Sequence, residues 1–239
     1  MSRKPVVLTV VGITVLALIG VAALAAAGTH KGYVISDDGR TVTATRMPQF
    51  TTPALSDAKL KTIAGNLSTY PFGTFFCCFG NTVAQEGSGG FPFTTWVAIP
   101  FTPAADATVS RIEASVGTFG GTSEFELSIR EDKAGVPGKA IKSFHITTAP
   151  QYGACCTLDV GKDKAGIPVT AGTQYWIAAT TTSKDTFEGG WAFNSTDMRS
   201  YPIASYCKGS STYCGTTNNG KWVAGQSGDP LPAYAILGN

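Results

Sequence analysis

Two stretches of the chain alternate apolar and polar residues with the period of a half-buried strand. In the first, Ile112, Ala114 and Val116 alternate with Arg111, Glu113 and Ser115. In the second, Phe125, Leu127 and Ile129 alternate with Glu124, Glu126, Ser128 and Arg130. Successive strand side chains point to opposite faces, so each stretch places one row in a core and the other in water. Gly117, Gly120 and Gly121 lie between the two and suit a hairpin connection. Trp96–Phe101 is a continuous apolar run closed by Pro103 and reads as another strand. Further strands are expected over 140–147, 155–160, 174–182, 188–193, 221–225 and 233–237. No helical apolar stripe longer than two turns occurs outside the first 28 residues. Short strands punctuated by Gly and Pro predict an all-β fold, a jelly-roll-like sandwich of two antiparallel sheets preceded by an N-terminal hydrophobic helix.

Two turns are marked by a near-repeat. Asp132-Lys133-Ala134-Gly135-Val136-Pro137 returns as Asp163-Lys164-Ala165-Gly166-Ile167-Pro168. Gly permits positive φ and Pro blocks further pairing, so both copies read as turns. A calcium role for Asp132 and Asp163 is disfavoured, because the clustered acidic oxygens of such a site are missing. Tyr175 and Trp176 are expected on opposite faces of one strand, with one of them in the core.

The first residues set the location. Arg3 and Lys4 precede an uncharged run from Pro5 to Gly28 that ends in Ala25-Ala26-Ala27. Basic residues, an apolar run and small residues at its end are the marks of a secretory signal. The run also reaches the roughly 20 apolar residues that span a bilayer. Residues 1–28 are therefore a cleaved signal peptide or an uncleaved membrane anchor, and either sends the rest of the chain outward. The expected location is extracellular or at the cell surface, with membrane contact only through this segment. Residues 29–60 are polar, broken by Pro48 and Pro53 and without a period, and read as a tether. Residues 61–239 form the sandwich domain, which is within single-domain size.

Charge and cysteine narrow the chemistry. Charged residues make up 14% of the chain, and beyond residue 27 there are sixteen basic and sixteen acidic ones. A neutral domain has no electrostatic footprint for nucleic acid. The six cysteines, Cys77, Cys78, Cys155, Cys156, Cys207 and Cys214, all follow the export signal, and an even number in an oxidising compartment implies disulfides. No metal or cofactor is expected, since Cys-x-x-Cys spacing is missing and the only histidines are His30 and His145. Cys207 and Cys214 are expected to close a short loop. The two doublets are expected to bridge to each other. The alternative is a bond within a doublet, but neighbouring Cα atoms are about 3.8 Å apart, below the usual disulfide range of roughly 4.4–6.8 Å.

Catalytic constellations are sparse. His145 faces away from Phe144 and Ile146, so it is a lone solvent-facing histidine, and no Gly-x-Ser-x-Gly elbow occurs. Glu113, Glu124 and Glu126 read as surface charges. Asp185 and Glu188 flank Phe187 in an expected loop and are the pair a cell-envelope hydrolase would use. The aromatic residues of the C-terminal third offer a different lead. Trp191, Tyr201, Tyr206, Tyr213 and Trp222 lie among Ser, Thr, Gly and Asn, and exposed aromatics stack on sugar rings or anchor a protein partner. For Trp191, Phe193 and Trp222 the competing role is to fill the core.

A resemblance joins several of these segments. Ile99-Pro100-Phe101-Thr102-Pro103, Asp132-Lys133-Ala134-Gly135-Val136-Pro137-Gly138, Tyr152-Gly153-Ala154-Cys155-Cys156 and Ala171-Gly172-Thr173-Gln174-Tyr175-Trp176 follow one another in that order. The order, with the earlier doublet Cys77-Cys78, resembles the choice-of-anchor R type of bacterial exported domain over roughly residues 65–195. The resemblance implies bacterial export and a β-sandwich at the cell surface, and it carries no catalytic residues. The tail from 196 to 239 departs from that pattern. The expected function is thus a non-enzymatic binding or structural module. Its ligand would be a glycan, a matrix component or a second copy of the chain, and the alternative is the hydrolase.

Overall fold

The computed structural model describes residues 32–36, 38–45, 60–67, 75–88, 91–153, 158–194, 203–209, 214, 219–225 and 230–239. Among them the chain forms fifteen strands. They are β1 (Tyr33–Ile35), β2 (Thr41–Ala44), β3 (Lys61–Gly65), β4 (Phe75–Ala84), β5 (Thr94–Phe101), β6 (Ala107–Ala114), β7 (Val116–Gly120) and β8 (Phe125–Lys133), followed by β9 (Val136–Ile146), β10 (Asp159–Val169), β11 (Tyr175–Thr180), β12 (Glu188–Asn194), β13 (Ala204–Lys208), β14 (Lys221–Ala224) and β15 (Tyr234–Gly238). Two antiparallel sheets hold them, as in a β-sandwich. The smaller runs β10-β6-β15-β3. In the larger, β14-β13-β5-β11-β8-β9 lie side by side, and β1-β2-β4-β12-β7 join them through one pairing, Ala84 of β4 with Thr95 of β5.

The alternation of β8 fixes the inner face. Phe125, Leu127 and Ile129 are 0% exposed, and Ile129 lies beside Ile177 of β11 and, across it, Ile99 of β5. Val109, Ile112, Ile167 and Ile236 of the smaller sheet close over this row. Full burial of each such side chain contributes about 1.5–3 kcal/mol, so the row between the sheets is the main source of stability.

Both strongly alternating stretches are strands, but they do not form a hairpin. β6 belongs to the smaller sheet and β8 to the larger one, and they face each other across the core. The chain changes sheet at Ser115. Its N–H donates to the carbonyl of Ala233 at 3.2 Å, and its carbonyl accepts from Ala192 N–H at 2.9 Å. β7 then pairs with β12, and Gly121 turns the chain at φ 68°, where a Cβ would collide with the Thr186 carbonyl. Alternation identifies an inward face but not the sheet to which it belongs.

Three further expectations are corrected. The tether over 29–60 is partly sheet: β1 pairs with β2, and β2 pairs with β4. Tyr33, Ile35 and Val42 are its buried apolar side chains among the described residues, too few and too scattered among polar neighbours to show a period. The first hexapeptide does turn, with Ala134 at φ 54° and Gly135 at φ 82°. The second does not reverse the chain. β10 runs through it, and its register on β6 jumps between Lys162 and Ile167, so Asp163–Gly166 form a bulge. Glu113 is not a surface charge but is buried, with Arg111 Nη2 at 2.6 Å. Ala235 beside it and Leu237 are buried on the same outer face of the smaller sheet, so that face is covered as well.

Tyr175 and Trp176 do face opposite sides. Tyr175 packs against the inter-sheet core, whereas Trp176 lies on the outer face of the larger sheet yet is only 1% exposed. Its Nε1–H donates to Asp132 Oδ1 at 2.7 Å, which ties β11 to the β8–β9 turn. Asp132 also accepts from Gly135 N–H and Gln174 Nε2. Partial burial pushes its carboxyl up, but hydrogen bonds from Trp176, Gly135 and Gln174 together outweigh this and hold it below the ordinary value. Trp176→Ala should lower the unfolding free energy by about 3–5 kcal/mol. Trp176→Phe keeps a ring and loses the hydrogen bond, so it should cost less. Urea denaturation of both variants checks the order.

Asp159 is buried at the end of β10, opposite Ala114 of β6. Burial pushes its carboxyl well above the ordinary 3.8, and backbone hydrogen bonds from Val116 and from its own N–H only partly offset this. Between 3.8 and that raised value the folded state therefore holds a proton that the unfolded state releases. Stability from this group is full below 3.8 and is lost as pH rises through the folded value. Asp159→Asn should be more stable than the parent at neutral pH, and the gain should vanish at the acid end. Thermal melts across pH give the comparison.

Candidate binding site

Three rings line up across three neighbouring strands. Trp96 of β5 is the register partner of Tyr206 of β13, which is the partner of Trp222 of β14. Directly opposed residues share a face. This face is turned away from the smaller sheet, since the adjacent Val97 points into the inter-sheet core. The Trp96 and Tyr206 rings stack with centroids 4.1 Å apart and planes 17° apart. Trp222 lies 5.7 Å from Tyr206 at 59° and 6.1 Å from Trp96 at 42°, so it tilts out of the stack. All three are half-buried.

The floor beside the rings is small. Ala98, Ala178 and Ala204 are neighbours in β5, β11 and β13, and each is 0% exposed. Trp176 and Trp222 pack on them, and β14 comes close to β9, so this part of the outer face is roofed. The ladder borders that roofed floor. Trp96 is held in place by its Nε1–H, which donates to Thr181 Oγ1 at 2.8 Å, and Thr181 in turn donates to Gln85 Oε1 at 2.8 Å. Burial raises the Tyr206 hydroxyl above its ordinary value, so it is a neutral hydrogen-bonding group at physiological pH.

A covalent clasp lies next to the ladder. Cys207, which follows Tyr206, is bonded to Cys214, with Cα atoms 5.2 Å apart. Gly220 N–H donates to the Cys207 carbonyl at 2.7 Å, and Gly209 N–H to Asn219 Oδ1 at 3.1 Å. The chain leaving β13 and the chain entering β14 are thereby tied together, which fixes the register of Tyr206 against Trp222.

The other sequence candidates fall elsewhere. Trp191 is 0% exposed in β12, between β4 and β7, with its Nε1–H donating to the Ala233 carbonyl at 2.9 Å. It is a core residue and has no open ring face to offer a ligand. Tyr201, Tyr213, Cys155 and Cys156 lie outside the described residues. Cys77 and Cys78 fall in β4, but their side chains also lie outside the described set. Asp185 accepts from Thr182 N–H at 2.6 Å and caps a turn. Glu188 is buried in β12, against Gly120 of β7. His145 is exposed, with Nε2 3.5 Å from Glu124. Trp96 was missed as a site residue because its unbroken apolar run reads as a strand buried on both faces. The register with Tyr206, which puts it on the outer face, is not visible in the sequence.

Comparison with known proteins finds no matching family model, no matching curated protein and no matching solved structure.

Replacing both Cys207 and Cys214 by Ala opens the clasp. On the chain-entropy model so short a loop contributes about 2–3 kcal/mol. Denaturant unfolding of the double variant against the parent should show a loss of that size.

Proposed function

We propose that the protein is an exported, non-enzymatic module that binds a neutral glycan through the Trp96–Tyr206–Trp222 ladder. The observation that carries the reading is the ladder itself, three half-exposed rings in register on the outer face of a sheet. Aromatic faces pack on the apolar C–H faces of sugar rings, while the Trp222 N–H and the Tyr206 O–H meet hydroxyls, the Trp96 N–H being committed to Thr181. The equal numbers of acidic and basic residues beyond residue 27 favour an uncharged ligand over an anionic one. In this reading residues 1–28 form the hydrophobic helix of a signal peptide or anchor and direct the chain to the cell surface or beyond. The Cys207–Cys214 bond supports an oxidising location. A jelly-roll-like connectivity and the resemblance to choice-of-anchor R domains belong to the same proposal.

The hydrolase alternative draws no support from its two carboxylates, one a turn cap and the other buried against Gly120 of β7. Affinity electrophoresis of the full chain through gels containing neutral polysaccharides tests the binding reading. Trp222→Ala should lose about tenfold in affinity for the retarding polysaccharide, the factor that corresponds to 1.4 kcal/mol, at a temperature where the variant is still folded. Equal retardation of parent and variant would contradict it.

A further inference from the structure

The row of rings does not end at Trp96. Ala98 of β5 is the register partner of Ala178 of β11, which brings Thr180 level with Trp96 on the same face. Thr180 is the partner of Glu126 of β8, and Glu126 is the partner of His145 of β9. Leu127 and Ala179 point into the inter-sheet core, so Glu126 and Thr180 share the outer face with the rings. One row thus crosses the sheet in the order Trp222, Tyr206, Trp96, Thr180, Glu126 and His145. It lies at a rim of the strands, since β11 ends at Thr180, β8 begins at Phe125 and β9 ends at Ile146.

The sheet is rolled along this row. β14 and β9 are the two ends of the run β14-β13-β5-β11-β8-β9, yet they come close to each other. The outer face is therefore concave, and the row runs along the mouth of the trough, a preferred place for ligand sites in rolled sheets. Two strand spacings, about 10 Å, separate Trp96 from Glu126 at the backbone, and on a concave face the side-chain tips stand nearer. Tyr206 covers one face of the Trp96 ring, with centroids 4.1 Å apart. Tyr206 is on the β13 side, so the other ring face is turned toward β11 and β8, where Glu126 stands.

Glu126 is half-exposed and makes no hydrogen bond or ion pair among the described residues. The charges around it are engaged or stand apart. His145 Nε2 is 3.5 Å from Glu124, and Arg130, further along β8, donates its Nε–H to the Gly138 carbonyl at 2.8 Å. Lys208 lies one row beyond Tyr206 on β13, opposite Thr94 of β5. An ionised carboxylate only accepts hydrogen bonds, and its two oxygens take two donors at once. Neighbouring hydroxyls of a neutral sugar meet that requirement, and the bonds are strengthened by the charge. An acidic sugar would set a like charge against it. We propose that Glu126 selects the ligand of the ring ladder, its carboxylate accepting from hydroxyls of a sugar stacked on the open face of Trp96 and disfavouring acidic sugars. This assignment rests on the reading of the ladder as a glycan site.

The test is affinity electrophoresis of the full chain through gels containing dextran, galactomannan, xyloglucan or mixed-linkage β-glucan, each beside its carboxymethyl derivative at the same ionic strength. At least one neutral polymer should retard the parent, with affinity about tenfold above that for its carboxymethyl form. Glu126→Gln, nearly isosteric and able to keep the fold, should lose about tenfold for the neutral polymer and lose the preference between the two forms. Trp222→Ala should weaken binding to both forms and keep their ratio, as would any change that merely disturbed packing. Loss of retardation in Trp222→Ala, with strength and ratio unchanged in Glu126→Gln, would overturn the role of Glu126 and leave the ladder reading intact. Equal retardation of the parent by both forms would do the same. No retardation of the parent by any of the neutral polymers would overturn both.

Discussion

The structure depends on one apolar contact, the face of β5, β11 and β8 pressed against the smaller sheet. Ile99, Ile177 and Ile129 stand side by side on that face, and Ile112, Ile167 and Ile236 meet them from the other sheet. Because strand side chains alternate, committing these residues inward commits their neighbours outward. Trp96, Ala98, Trp176, Ala178 and Ser128 have no other direction available. The ring ladder is thus a consequence of the core: Val97 is held inside, so Trp96 is presented outside.

The outer face then differentiates by residue size. Where Ala98, Ala178 and Ala204 leave room, Trp176 settles and is sealed, and Trp222 packs on the same floor half-open. At the next row Trp96 and Tyr206 stack upon each other and stay half-open. The Cys207–Cys214 bond keeps the edge pair β13–β14 in register, which an edge strand of four residues would hold weakly by backbone bonds alone. Packing, register and the clasp converge on the same three rings.

Much of the frame was legible in the sequence. The clean alternation of 111–116 and 124–130 located two strands, and Lys208–Tyr213 between two cysteines located the clasp. Pairing partners were not legible. Nothing local tells β6 and β8 that they face each other across the core, because Ser115 changes sheet through hydrogen bonds to Ala192 and Ala233, far along the chain. The strands β1 and β2 escaped because they gain burial from β4 and not from a pattern of their own. Among the candidate rings, sequence separated Tyr206 from the core by its turn-rich neighbours, but could not separate Trp191 from Trp222. Trp191 sits in a central strand and Trp222 in an edge strand, a difference made by pairing alone.

The chain has four tryptophans, which gives the ladder a direct optical signature. Trp176 and Trp191 are sealed, whereas Trp96 and Trp222 are half-exposed. Acrylamide quenching of tryptophan fluorescence should therefore resolve an accessible and an inaccessible population. The most direct measurement of the central claim repeats that quenching in the presence of the neutral polysaccharide that retards the protein. If the ladder is the binding surface, the ligand should protect the accessible population and leave the other unchanged. Quenching that is identical with and without bound polysaccharide would contradict it.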